Sequence, residues 1–219
     1  TVGGTTTTES FLFSYLTSGS NTGKISSVTL RRQVGVGSWT TIRKAEYDYY
    51  GTGSSIGTLG DLKTAIVKDG SDTVLDTKFY RYYVADSSIG YIGGLKYAFS
   101  AESYARLKTW CDANSTTPES ASDSQVSPFA GDYFEYDAVH RVTKHTSQGS
   151  GCSACTGGLG TSTFTYETSS FSDGYNSWRT KTVETQADGN TRRAQCLAFA
   201  LQQQAIFRRR GGEHAFGHA

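Results

Sequence analysis

"EYDYYGTGSSIGTLGDLKTAIV", Glu46 to Val67, is answered 33 residues later by "FYRYYVADSSIGYIGGLKYAFS", Phe79 to Ser100. At that offset Tyr47 falls on Tyr80, Tyr49 on Tyr82, Tyr50 on Tyr83, Ile56 on Ile89, Gly57 on Gly90, Gly60 on Gly93, Leu62 on Leu95 and Lys63 on Lys96. Looser copies flank the pair: Phe13 and Tyr15 precede "GKISSVTLRR", Phe134 and Tyr136 precede "HRVTKHT", and Phe164 and Tyr166 precede "WRTKTVET". Each copy opens with aromatic residues at i and i+2, crosses a turn region, and ends in a second alternating run with a basic residue near its start. Alternation at a period of two is the signature of a strand, so the unit reads as a β-hairpin written about five times.

Residues two apart on a strand share a face, which sends Tyr47 with Tyr49, and Tyr80 with Tyr82, to one side. A lone hairpin cannot bury such a face, whereas hairpins in series cover one another. Aromatic cross-strand pairs then add roughly 0.2–1 kcal/mol each. The expected fold class is therefore mostly β, built of tandem antiparallel hairpins. Thr, Val, Ile and Tyr fill the strand positions and Gly, Ser and Asp the turns. Both prolines, Pro118 and Pro128, lie outside the strands.

"FEYDAVHRVTKHT" (134–146) and "EYDYYG" (46–51) resemble the YD-repeat pattern of RHS proteins, Tyr-Asp-x-x-Gly-Arg followed by an aliphatic strand. Tyr136, Asp137, Arg141 and Val142 fit it, with His140 where glycine is usual; Tyr47, Asp48 and Gly51 fit it without the arginine. At the 33-residue offset Tyr49 rather than Tyr47 matches the closing tyrosine, a two-residue shift that leaves every side chain on its face. Tyr80, Tyr82, Phe164 and Tyr166 complete the repeat-defining set. The resemblance implies a twisted, shell-like sheet in a secreted or cell-surface protein, with the chain a fragment of it. In that family such a shell encloses or presents a toxin or adhesion module. Neighbouring repeats of a longer chain would then be the partners, and the isolated piece would self-associate through its open strand edges.

The pattern divides the chain into a flexible segment at 1–10, the repeat region at 11–190, and a tail at 191–219. One interruption breaks the repeat. "SAESYARLKTWCDAN" predicts a short helix over about 100–114, with Ser100 as N-cap, Phe99 and Tyr104 as a hydrophobic staple, and Tyr104, Leu107 and Cys111 on one face. "STTPESASDSQVSP" (115–128) reads as a polar loop, and the whole as an insertion over the sheet. In the tail, "AQCLAFALQQQAIFRRRGG" is rich in helix formers, so a helix over about 194–207 and a disordered end are both open readings.

Charge follows the same division: residues 1–190 carry 16 Lys and Arg against 19 Asp and Glu, while residues 191–219 carry five Arg against one Glu. Arg208, Arg209 and Arg210 attract anions through charge alone, with no pattern for specific nucleic acid. No run approaches the roughly 18 apolar residues of a membrane span.

Chemistry is thin. Cys152 and Cys155 have a C-x-x-C spacing, but Cys111 and Cys196 are isolated, so the pair reads as a structural staple in a glycine-rich turn rather than a zinc or redox site. His145 lies near that pair without an orienting acid. His214 and His218 flank glycines that argue against a helix holding both on one metal. Asp48, Asp61, Asp132 and Asp137 fall at turns and strand edges with no pairing between them. No nucleophile, phosphate-loop or metalloprotease motif is present. The expectation is a non-catalytic scaffold with no cofactor. The alternative is a carbohydrate- or protein-binding surface with Tyr50 and Tyr83 as an exposed platform.

Overall fold

Strand follows strand in chain order through the region of period-two alternation. The computed structural model describes residues 4–148, 159–167, 178–186, 191–200 and 203–210, and the chain divides into two units, Thr1–Tyr133 and Phe134–Ala219.

The first unit contains β1 (Thr7–Tyr15), β2 (Ile25–Val34), β3 (Thr40–Tyr49), β4 (Leu62–Asp69), β5 (Val74–Tyr82) and β6 (Leu95–Phe99). Each pairs antiparallel with the next. Helix α1 (Ala101–Ala113), the single turn α2 (Asp123–Val126) and a 3-10 turn (Ser127–Phe129) follow. Strand β7 (Asp132–Tyr136) then pairs with β6 through Tyr97 with Tyr133 and Ala98 with Asp132. The second unit continues with β8 (Val142–Gln148), β9 (Leu159–Glu167), β10 (Trp178–Gln186), β11 (Thr191–Ala200) and β12 (Gln203–Arg210), again antiparallel neighbour to neighbour. The mostly β, antiparallel-hairpin expectation is met.

Three local expectations are not. The span 115–128, read as a loop, holds α2, entered through a Ser122–Gln125 capping box, and the start of the 3-10 turn. Strand β1 starts at Thr7, inside the segment read as flexible. The tail forms β11 and β12 where a helix over 194–207 was one reading. A short run apolar on nearly every side is ambiguous between helix and strand, and here an antiparallel ladder from Arg193–Arg210 to Ala200–Gln203 overrides helix propensity.

The repeat is real in register. Tyr47 pairs with Ala65 and Tyr80 with Ala98, the same place in successive hairpins. Each of the first three hairpins also carries the same bulge: Ser14–Ser27 is followed by Tyr15–Ile25, Asp48–Thr64 by Tyr49–Leu62, and Arg81–Tyr97 by Tyr82–Leu95. One residue of the second strand is skipped each time: Ser26, Lys63 and Lys96. A bulge re-aims the residue it leaves unpaired, so both repeat lysines leave the ladder.

The insertion caps the sheet. The Ser100 side chain accepts from the Ser103 N–H at the start of α1, as the sequence predicts. Leu107 and Cys111 are buried with Phe79, Phe99, Ala121, Val126 and Ala130. Tyr104 stacks on Phe79 with ring centroids 5.2 Å apart, and Phe79 lies 5.5 Å from Phe99. This is the apolar core of the first unit, and it faces the helix.

Candidate functional site

The arrangement repeated most faithfully starts at the turn. Gly23, Gly60, Gly93 and His140 have φ of 87°, 89°, 82° and 65°, and each stands two residues before the first aliphatic residue of a strand: Ile25, Leu62, Leu95 and Val142. Left-handed backbone is cheap for glycine and strained for histidine, so His140 holds the place that glycine has in the other three turns at some cost. The loops close alike: Leu16 N–H donates to Lys24 O, Tyr50 N–H to Asp61 O, Tyr83 N–H to Gly94 O and Asp137 N–H to Arg141 O.

The tyrosine that ends the preceding strand then reaches across. Tyr49 donates its hydroxyl to Ile25 O at 2.8 Å, Tyr82 to Leu62 O at 2.9 Å and Tyr166 to Val142 O at 2.5 Å. Lys24 lies 5.2 Å from the Tyr49 ring centroid and Arg141 4.3 Å from that of Tyr166. A tyrosine hydroxyl, a backbone carbonyl and a cation over the ring make a clasp between hairpins, polar at its tip and apolar along its body. Asp137 anchors the tight version of the turn. It accepts from Val139 N–H, Arg141 N–H and the Arg141 guanidinium at 3.0, 2.9 and 2.7 Å. Burial pushes its carboxyl up, but the bonds from Arg141 and Val139 outweigh this and hold it below its ordinary value. Asp69 builds the same turn with Ser71, Asp72 and Thr73, Asp72 at φ 62° taking the place of His140.

Tyr50 and Tyr83 are not a platform. They are 4% and 6% exposed. Sequence alternation turned them outward, but the loop after each folds back over its ring: a Cβ on Gly57 would lie 2.2 Å from the Tyr50 ring, and one on Gly90 2.3 Å from that of Tyr83. The Tyr50 hydroxyl donates to Tyr80 O at 2.6 Å, its ring meets Tyr82 edge-on at 6.2 Å, and burial raises its pKa far above the ordinary value. It is a core tyrosine, kept neutral.

The insertion is held by charge as well as packing. Asp48 pairs with Lys63 at 3.1 Å, but one repeat later the same two positions are Arg81 and Lys96, both cations. The insertion supplies the missing acid: Asp123 meets Arg81 at 3.1 Å and Lys96 at 2.5 Å. Arg81 is 1% exposed and also donates to Pro118 O and Ala121 O, at 2.5 and 2.6 Å. Glu119 adds a longer contact to Lys63 at 3.6 Å. Sequence reading missed Arg81 and Asp123 altogether; the sign change between Asp48 and Arg81 in the aligned copies was the available signal.

The other candidates are not gathered. Cys152, Cys155, His214 and His218 lie outside the described residues, as do the side chains of Cys196, Arg208, Arg209 and Arg210. Cys111 is free and buried, its thiol pushed up by that burial toward the unreactive protonated form. His145 stacks on Phe134 at 4.7 Å with the rings 3° from parallel. Asp61 accepts from Thr58 N–H and hydroxyl, closing its own turn. Phe164 pairs in register with Glu184. Among the described residues no three His, Cys, Asp or Glu side chains group as metal ligands, and no helix is long and apolar enough to cross a membrane. No family model matches the chain, and no curated protein matches it significantly in sequence.

Proposed function

We propose that this chain is a non-catalytic structural segment of a secreted or cell-surface protein of the RHS/YD-repeat type, contributing hairpins to a shell-like scaffold that encloses or presents a toxin or adhesion module. The reading is supported by one observation above all: the tyrosine clasp recurs at Tyr49, Tyr82 and Tyr166, each time joining one hairpin to the strand before it. The side chains with the richest chemistry are occupied in the same way. Asp137 and Arg141 close a turn, and Arg81, Lys96 and Asp123 fasten the insertion. Recurrence of a cohesive device, with these charged side chains paired within the chain itself, is what a scaffold requires. The rival reading, a binding surface on Tyr50 and Tyr83, has lost its platform.

The test is to remove hydroxyls and keep rings. Tyr49→Phe and Tyr82→Phe should each lower the unfolding free energy by about 1 kcal/mol, the net worth of one hydrogen bond. Wild-type stability in both variants would overturn the scaffold reading. An antibody raised against the first unit should label intact producing cells or their medium; a signal confined to lysed cells would overturn the exported part.

A further inference from the structure

Of the four asparagines in the chain, Asn114 alone heads an Asn-x-Ser/Thr triplet, Asn114-Ser115-Thr116; Asn21, Asn176 and Asn190 are followed two places on by glycine, tryptophan and arginine. The triplet stands just past the end of α1, inside the insertion, and no strand passes through it. Asn114 is the C-cap of the helix, Ser115 turns the chain at φ 52°, and Thr116 N–H donates back to Cys111 O at 3.0 Å. Asp112, Ala113, Asn114, Ser115 and Thr117 are all exposed. Drawing the triplet out into an enzyme's cleft costs the last turn of one helix, where opening is cheap, and leaves every strand ladder intact.

We propose that Asn114 is a glycosylation site, carrying an oligosaccharide on Nδ2 that a polyprenyl pyrophosphate donor supplies during export. In the transfer Asn114 Nδ2 bonds to the anomeric carbon of the sugar. The bond from that carbon to the pyrophosphate oxygen breaks, its electron pair leaves with the pyrophosphate, and one Nδ2 proton passes to a base of the transferring enzyme. The folded helix end accommodates the product. Asn114 Nδ2 donates to Trp110 O at 2.8 Å, and a carboxamide carries two hydrogens, so substitution by sugar leaves one for Trp110. A bulky hydrophilic chain at this exposed corner shields the turn at 115–117 without touching the hydrogen-bonded strands. The inference rests on the exported part of the scaffold reading and adds the chemical form in which the exported chain exists.

The experiment recovers the full chain from the medium or surface of its producing cells and treats it with a peptide:N-glycosidase in heavy-oxygen water, which labels each asparagine that carried a sugar. Label at position 114 is expected, with a drop in apparent mass on a denaturing gel. Asn114→Gln and Thr116→Ala should each abolish the heavier form, while Thr116→Ser, which keeps the hydroxyl that the triplet requires, should retain it. An exported chain unlabelled at Asn114 would overturn the inference and leave the scaffold reading standing. A heavier form that survives Asn114→Gln would overturn it too, by placing the sugar elsewhere. If antibody labelling finds the chain only inside cells, the exported reading and this site fall together, and the destabilisation by Tyr49→Phe and Tyr82→Phe still judges the scaffold by itself.

Discussion

A glycine beneath an aromatic ring is a small commitment with a large consequence. Gly57 and Gly90 let loop backbone lie directly on Tyr50 and Tyr83, closer than any Cβ allows. Gly57→Ala and Gly90→Ala should each cost about 1–3 kcal/mol, the range for overpacking a filled site, read as a lowered urea midpoint with unchanged slope. Gly53 has open space around its Cβ position and a φ of 79°, so Gly53→Ala meets only left-handed strain, about 1 kcal/mol. Asp137 sets a pH dependence. Its folded pKa lies below the unfolded value near 3.9, so its contribution is complete above that value and disappears as pH falls through the folded one. Acid titration of stability should therefore show a loss below about pH 4 that is reduced in Asp137→Asn.

At the scale of the element, the hairpins and the helix were legible because their signals are local. Tyr47, Tyr49, Tyr80 and Tyr82 advertise strands through a period of two, and Ser100 announces α1 through its cap. What was hidden depends on backbone detail that alternation does not carry. The bulges at Lys63 and Lys96 take those lysines off the ladder, the loops bury Tyr50 and Tyr83 instead of exposing them, and β11 and β12 follow from pairing rather than propensity. The charge clamp was hidden because Asp123 lies 42 residues from Arg81. Asp123→Ala leaves the buried Arg81 guanidinium with carbonyl partners only. It should cost about 1–3 kcal/mol, less than a fully buried pair because Asp123 is partly exposed. Limited proteolysis should then cut at 115–128 while β3–β5 stay protected in hydrogen exchange.

For the molecule as a whole, the exposed aromatic residues of β1 matter most. A strand edge with Phe11, Phe13 and Tyr15 open to water is a template for association. Phe11→Lys with Phe13→Lys should shift the chain toward a single monomeric peak at high concentration in sizing chromatography; unchanged association would place the sticky surface elsewhere. The repeat also carries specificity. Two hairpins share one pattern, yet Asp48 in one answers to Arg81 in the other. The helical insertion is consequently addressed to a single hairpin: grafted above β3 and β4, its Asp123 would confront a like charge in place of the arginine that now receives it. Lengthening such an array by copying therefore need not copy the docking of its ornaments, since one codon of opposite sign decides which hairpin wears them.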